Sequence, residues 1–117
     1  MDRPSEPALQ VQVALATTDQ QPTVANLLEL YAYDFSEFHT IQLGPDGRFG
    51  YAGLEHYWTL PDRFPFLFTV DGKLAGLALI KKDSEISGDP SIWDVREFFV
   101  LRAFRRRSIG LEAAHQI

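Results

Sequence analysis

Residues 91–117 decide the fold, and they read SIWDVREFFVLRAFRRRSIGLEAAHQI. An apolar run without Gly or Pro, rich in β-branched and aromatic side chains, predicts a strand over residues 92–101. A basic turn follows at residues 102–107, with four arginines in six positions. A helix is then predicted from about residue 105 onward. The stretch therefore reads as strand, tight basic turn and helix.

The arginines of the turn stand where a helix normally avoids them. Basic side chains favour the C-terminus of a helix, because the helix dipole leaves the N-terminus electropositive. Three arginines at residues 105–107 become favourable if an anion docks on the free backbone N–H groups there. Ser108 and Gly110 are small enough to let a phosphate approach the backbone. Composition alone leaves a solvated basic turn equally open, and the order of elements favours a phosphate site.

The same residues carry a resemblance to a known family. The run of Arg105, Ser108 and Gly110 after an apolar strand resembles the pyrophosphate-binding signature of the GNAT superfamily, the acyl-CoA-dependent N-acyltransferases. The signature is Gln/Arg-x-x-Gly-x-Gly/Ala after a strand that ends Leu-x-Val. Here Phe98-Phe99-Val100 stands for Leu-x-Val, and Ser108 replaces the first Gly.

The resemblance implies where acetyl-CoA, the co-substrate, binds. Backbone N–H groups and arginines around the turn would hold the pyrophosphate, and the backbone of Phe98 and Val100 would meet the acyl carbonyl and the pantetheine arm. The implied binding residues are Phe98, Phe99, Val100, Arg105, Arg106, Arg107, Ser108, Ile109, Gly110 and Leu111.

Two carboxylates on the strand are candidates for the general base. Asp94 occupies the position at which the histone-acetylating branch of the family carries a strand glutamate, and it shares strand parity with Phe98. Glu97 lies closer to the implied acetyl position and points to the opposite face. We therefore expect Asp94 to lie nearer the acceptor amine. An ordinary ion pair of either carboxylate with Arg96 or a lysine remains open, as does activation by a water molecule.

Composition bounds the function. The chain has 117 residues, 45% of them hydrophobic and 23% charged, as expected for one globular domain. A net charge of −5 argues against nucleic-acid binding, so the arginine cluster is a local feature. Without cysteines there is no thiolate chemistry, and no metal site is predicted. No apolar run is long enough to span a membrane and no signal peptide is recognised, so a cytoplasmic location is expected.

The rest of the chain supplies the other elements. Alternating apolar residues predict a strand over residues 9–15, helical spacing predicts helices at 20–35 and 51–60, and Asp71-Gly72 predicts a type I′ turn joining strands at 64–70 and 73–81. The second of these strands is apolar on both faces and should be central. The 36–50 segment is predicted to be a loop that is either solvated or directs Glu37, His39 and Asp46 towards a substrate.

The predicted order is β-α-α-β-β-β-α, an α/β (α+β) domain with a mostly antiparallel central sheet. It resembles the N-terminal part of the GNAT fold, with the C-terminal part and its tyrosine general acid expected beyond Ile117. Two functions stay open: an N-acetyltransferase that moves the acetyl group of acetyl-CoA to a primary amine, or a non-catalytic module that binds acyl-CoA or a protein. The exposed strand edge from Phe98 to Leu101 predicts a homodimer or other self-association.

Overall fold

The computed structural model describes residues 10–82, 93–105 and 109–117. The elements are β1 (Val11–Leu15), α1 (Gln21–Phe35), α2 (His56–Thr59), β2 (Arg63–Val70), β3 (Lys73–Lys82), β4 (Trp93–Val100) and α3 (Ile109–Gln116), with short 3-10 turns at Thr18–Gln20 and Arg102–Phe104. The predicted order β-α-α-β-β-β-α is confirmed. Among the described residues, no helix is long and apolar enough to cross a membrane.

The four strands form one antiparallel sheet in the order β1-β2-β3-β4. The β2–β3 hairpin turns at Asp71 and Gly72, whose φ angles of 50° and 79° are both positive. Positive φ at both central residues is the type I′ geometry, so the predicted turn is confirmed. The Asp71 carboxylate also accepts the N–H of Gln10 at 2.9 Å, which ties the start of β1 to the hairpin.

Strand β3 forms the core, because helices cover it on both faces. Leu77 and Leu79 pack with Val24 and Leu28 of α1 on one face, which we call the α1 face. Ala78 and Ile80 pack towards Ala113 of α3 on the other, the α3 face. A strand covered twice must be apolar at nearly every position, which explains the sequence LAGLALI.

Most boundaries agree with the sequence prediction to within one or two residues, and the larger differences concern two helices. The predicted helix at 51–60 is reduced to the single turn α2, because Gly53 has a positive φ of 79° and the residues before His56 form turns. This short α2 is nevertheless fixed, since the Trp58 indole N–H donates to the backbone O of Ala16 at 3.0 Å. The predicted start of the last helix near residue 105 is also wrong, because Arg105 is extended, with ψ 156°.

Candidate functional site

Strand β4 leaves one backbone edge unpaired by any strand of the described chain. The N–H of Leu101 donates to the carbonyl of Ala75 on β3 at 2.7 Å. Because successive residues of a strand direct their amides to opposite sides, Phe98 and Val100 direct theirs away from β3. The carbonyl of Val100 accepts the Arg105 Nε at 2.8 Å on that side. The backbone N–H groups of Phe98 and Val100 thus point to the open edge.

A β-bulge at Arg96 corrects the parity expected for the two strand carboxylates. Phe98 pairs with Ala78 and Glu97 with Leu79, but the next pair is Val95 with Ile80, so Arg96 is the extra residue. Asp94 then pairs with Lys81, an odd number of positions along β3 from Ala78. Asp94 and Phe98 therefore face opposite sides of the sheet, and the prediction of shared parity is wrong.

Asp94 makes an ordinary ion pair. Its carboxylate accepts the Arg96 Nε at 2.9 Å, and both side chains are partly exposed. This is the alternative that the sequence left open for a strand carboxylate. Together with the bulge, which puts Asp94 and Phe98 on opposite faces, the ion pair leaves no structural argument that Asp94 lies nearer an acceptor amine.

Glu97 has a different environment, half-buried on the α1 face. Burial raises the pKa of its carboxyl, and a hydrogen bond from Tyr31 and the positive charge of Arg96 offset part of the rise. Burial and the charge of Glu97 in turn raise the pKa of the Tyr31 phenol, which therefore stays protonated at neutral pH and donates to the carboxylate. Glu97 is thus a carboxylate held in place and partly desolvated, as a general base requires.

A second pair of phenols lies beside Glu97. Tyr51 donates a hydrogen bond to Tyr57, and burial followed by the charge of Glu97 raises the pKa of Tyr51. Burial raises the pKa of the Tyr57 phenol, and the positive charge of Arg63 offsets part of that rise. The Arg63 guanidinium lies over the Tyr57 ring, 5.8 Å from its centroid. Arg63 and Arg96 line a second cavity together with Tyr51 and Tyr57.

A pocket of about 270 Å³ opens in front of Glu97, between α1, the 36–50 loop and β4. Its described lining is aromatic and aliphatic except for this one carboxylate, and consists of Leu28, Tyr31, Ala32, Phe35, Ile41, Phe49, Gly50, Tyr51 and Glu97. We call it the aromatic pocket. Apolar walls around one positioned polar group are the usual composition of a small-molecule site.

The wall of the pocket that belongs to the loop is anchored to α1. The two carboxylate oxygens of Glu29 accept the N–H groups of Phe49 and Gly50, each at 2.8 Å. This satisfies two loop amides at the point where Phe49 enters the pocket. Of the loop residues singled out from the sequence, Glu37, His39 and Asp46 do not line the pocket. The His39 ring stacks on the pocket residue Phe35, with ring centres 4.5 Å apart, and Asp46 accepts the N–H of Arg48.

Arg105, an implied pyrophosphate ligand, is held by α1. Its Nη2 lies 2.6 Å from Asp34, and its guanidinium lies 5.7 Å from the centre of the Phe99 ring. Arg102 binds the same carboxylate. These hydrogen bonds, from Arg102 and then Arg105, hold the pKa of Asp34 below its usual range. We call this arrangement the Asp34 clamp. It fixes the turn after β4 against α1, beside a groove of about 410 Å³.

The remaining implied cofactor residues divide into three groups. Ile109 is buried, and Gly110 faces β4, where an added Cβ would lie 3.7 Å from the side chains of both Phe98 and Val100. Leu111 is exposed. Arg106, Arg107 and Ser108 lie outside the described residues. A bulky side chain at Gly110 would therefore press on β4. A substitution there would disturb the packing of α3 on β4 as well as any phosphate site at the start of α3.

Sequence reasoning missed the tyrosines around Glu97 and the partner of Arg105. Tyr31 follows the helical spacing of the apolar residues of α1, which by itself indicates only a core position. A buried phenol, however, needs a hydrogen-bond partner and so indicates a polar group nearby. Asp34 carried no signal, because 71 residues separate it from Arg105.

Comparison with known proteins identifies the family. The sequence model of the acetyltransferase (GNAT) family matches residues 24–117. No curated protein matches the chain significantly.

Several solved structures share the fold. An aminoglycoside acetyltransferase from an uncultured soil metagenomic sample superposes with a TM-score of 0.62 at 14% identity, over 90% of this chain. A ribosomal-protein-alanine N-acetyltransferase from Brucella melitensis biovar Abortus 2308 gives 0.63 at 20% over 91%, and a GNAT-family acetyltransferase from Staphylococcus aureus Mu50 gives 0.62 at 11% over 92%. This chain spans 65%, 68% and 64% of their respective lengths.

Proposed function

Because this chain belongs to the GNAT acetyltransferase family, we propose that it transfers the acetyl group of acetyl-CoA to a primary amine. The observation that carries the proposal is the half-buried carboxylate of Glu97 beside the open backbone edge at Phe98. A base and a backbone donor for a carbonyl oxygen are two of the groups that amine acylation needs.

The proposed chemistry assigns each group one task. The amine nitrogen attacks the thioester carbonyl, whose oxygen takes a hydrogen bond from the Phe98 N–H at the open edge. Glu97 accepts the proton that the nitrogen loses as the C–N bond forms. The C–S bond breaks, and CoA leaves as the thiolate. Tyr31 donates to Glu97 throughout and so keeps the carboxylate directed at the pocket.

The proposed binding surface for acetyl-CoA is the open edge of β4 with the turn and helix that follow. The Val100 N–H, next along the open edge from the Phe98 N–H that meets the acyl oxygen, suits the pantetheine arm. Phe99 supports the turn through Arg105, and residues 105–111 would meet the pyrophosphate. Arg105 is already bonded to Asp34, so it would bind a phosphate only by sharing or giving up that contact.

The proposal is tested by following thiol release from acetyl-CoA in the presence of amines, with calorimetric titration of acetyl-CoA in parallel. Amine-dependent thiol release that Glu97→Gln abolishes supports acetyl transfer. Binding of acetyl-CoA without thiol release from any amine would instead support the non-catalytic module.

A further inference from the structure

The aromatic pocket is too apolar for most amines. Four rings line it, those of Tyr31, Phe35, Phe49 and Tyr51, and Glu97 is the one carboxylate of its described lining. An ammonium group that entered would pair with Glu97, and the body of the ligand would meet mainly rings and aliphatic side chains, with the Tyr31 and Tyr51 hydroxyls as the other polar side-chain groups. The lining thus favours a ligand with one amine and a flat apolar body, since rings stack well on rings.

The charged groups described on either side of the pocket are paired with one another. Past Tyr51 lie Arg63 and Arg96, whose guanidinium groups are already paired with Asp62 and Asp94. On the other side of α1, Asp34 is already paired with Arg102 and Arg105. A polyamine or aminoglycoside would have to bury ammonium groups without partners, which is costly.

The volume of the pocket limits the size of the ligand. An apolar cavity of about 150 Å³ holds a benzene molecule. The aromatic pocket, at about 270 Å³, therefore has room for a ring of one or two cycles and a short alkyl arm. An aminoglycoside, with several sugar rings, exceeds it.

We propose that the acceptor is an arylalkylamine, a primary amine joined by a short alkyl arm to a flat aromatic body. The ring stacks among Phe35, Phe49 and Tyr51, and the amine reaches the Glu97 carboxylate. The identification of this ligand as an acceptor rests on the proposed acetyl transfer, whereas its binding does not.

The test is calorimetric titration of the chain with 2-phenylethylamine, 2-phenylethanol, spermidine and sisomicin. We expect 2-phenylethylamine to bind at least tenfold more tightly than spermidine or sisomicin. Glu97→Gln should weaken 2-phenylethylamine about tenfold and leave 2-phenylethanol unchanged, because only the amine contacts the carboxylate. Phe49→Ala should weaken both aromatic ligands, and Leu43→Ala, on the exposed part of the same loop, should weaken neither.

Phe35→Ala provides a second test of the ring contact should Phe49→Ala fail to fold, as judged by circular dichroism. Tighter binding of spermidine or sisomicin, or 2-phenylethylamine affinity that neither ring variant alters, overturns the proposal. Thiol release separates it from the proposed function. If 2-phenylethylamine binds in a Glu97-dependent way but no thiol is released, acetyl transfer is refuted and the arylalkylamine site stands. If thiol is released with spermidine or sisomicin and not with 2-phenylethylamine, the arylalkylamine proposal is refuted and acetyl transfer stands.

Discussion

At the scale of single residues, Glu97 is the side chain that we propose as the general base. Its raised pKa means that it takes up a proton at a higher pH than an ordinary glutamate. We expect Glu97→Gln to lower kcat/KM about 10²- to 10⁴-fold, the usual contribution of a general base. We expect wild-type kcat/KM to rise with pH on the acidic side as Glu97 loses its proton, and this rise should be absent in Glu97→Gln. The matched control is Asp94→Asn, which breaks only the ion pair with Arg96 and should keep the wild-type pH profile. Equal losses in the two variants would contradict the assignment.

The same substitution predicts a gain in stability. A carboxyl whose pKa is raised on folding stabilises the fold below its ordinary pKa, and that contribution is lost as the pH rises through the raised value. At neutral pH the charged, partly buried Glu97 therefore lowers the free energy of unfolding, and the uncharged glutamine of Glu97→Gln avoids this loss. Glu97→Gln should melt at or above the wild-type temperature at pH 8, and its advantage should vanish near pH 4. Thermal unfolding followed by circular dichroism measures both, and a variant less stable at pH 8 would show that the charged carboxylate stabilises the fold through Tyr31 and Arg96.

At the scale of elements, the Asp34 clamp joins α1 to the turn after β4. Because the pKa of Asp34 is lowered on folding, its contribution to stability is present above the ordinary aspartate pKa and is lost as the pH falls through the lowered value. Asp34→Asn should therefore melt below the wild type at pH 7, by a margin that closes towards pH 2. Salt should also narrow the margin, because the clamp is exposed to solvent. A difference in melting temperature independent of pH would show that the charge of Asp34 does not matter.

The contact of Glu29 with the 36–50 loop is also a contact between elements. Glutamine has one acceptor oxygen where Glu29 uses two, so one amide of the loop loses its partner in Glu29→Gln. We expect a loss of about 1–2 kcal/mol in the free energy of unfolding. KM for the amine should rise more than kcat falls, because the loop forms a wall of the aromatic pocket. The exposed Glu55→Gln is the control in denaturant unfolding and steady-state kinetics, and an unchanged KM would separate the loop from the acceptor site.

At the scale of the whole molecule, the open edge of β4 predicts self-association. Trp93 and Val95 are exposed on this strand, and an unpaired apolar edge recruits another strand. We expect the chain to associate in a concentration-dependent way that Val95→Lys reverses, because a lysine on an edge strand opposes strand addition. Leu43→Lys is the control, since Leu43 is 56% exposed against 57% for Val95 but lies in the loop. Sedimentation velocity measures the outcome, and a monomer at all concentrations would contradict the prediction.

Local chemistry explains how much of the molecule was predictable. The sequence predicts the turn at Asp71 and Gly72 and the buried strand β3, because each depends on residues that are adjacent in the chain. The bulge at Arg96 depends on how β4 pairs with β3, and a single extra residue reversed the face assigned to Asp94. The tyrosines around Glu97 and the partner of Arg105 come together only in three dimensions. The order of elements was therefore predictable, and the identity of the better-placed carboxylate was not.

The two hydrogen bonds from the 36–50 loop to Glu29 have a consequence for engineering. They fix the returning end of the loop to a helix that belongs to the core, so residues 37–47 can be exchanged as a cassette between two anchored ends. A library confined to that cassette, with Glu29, Phe49 and Gly50 retained, would vary the mouth of the pocket while leaving the sheet and Glu97 intact. We therefore expect the proposed acceptor preference to be separable from folding, which would make the chain a scaffold for selecting new amine preferences.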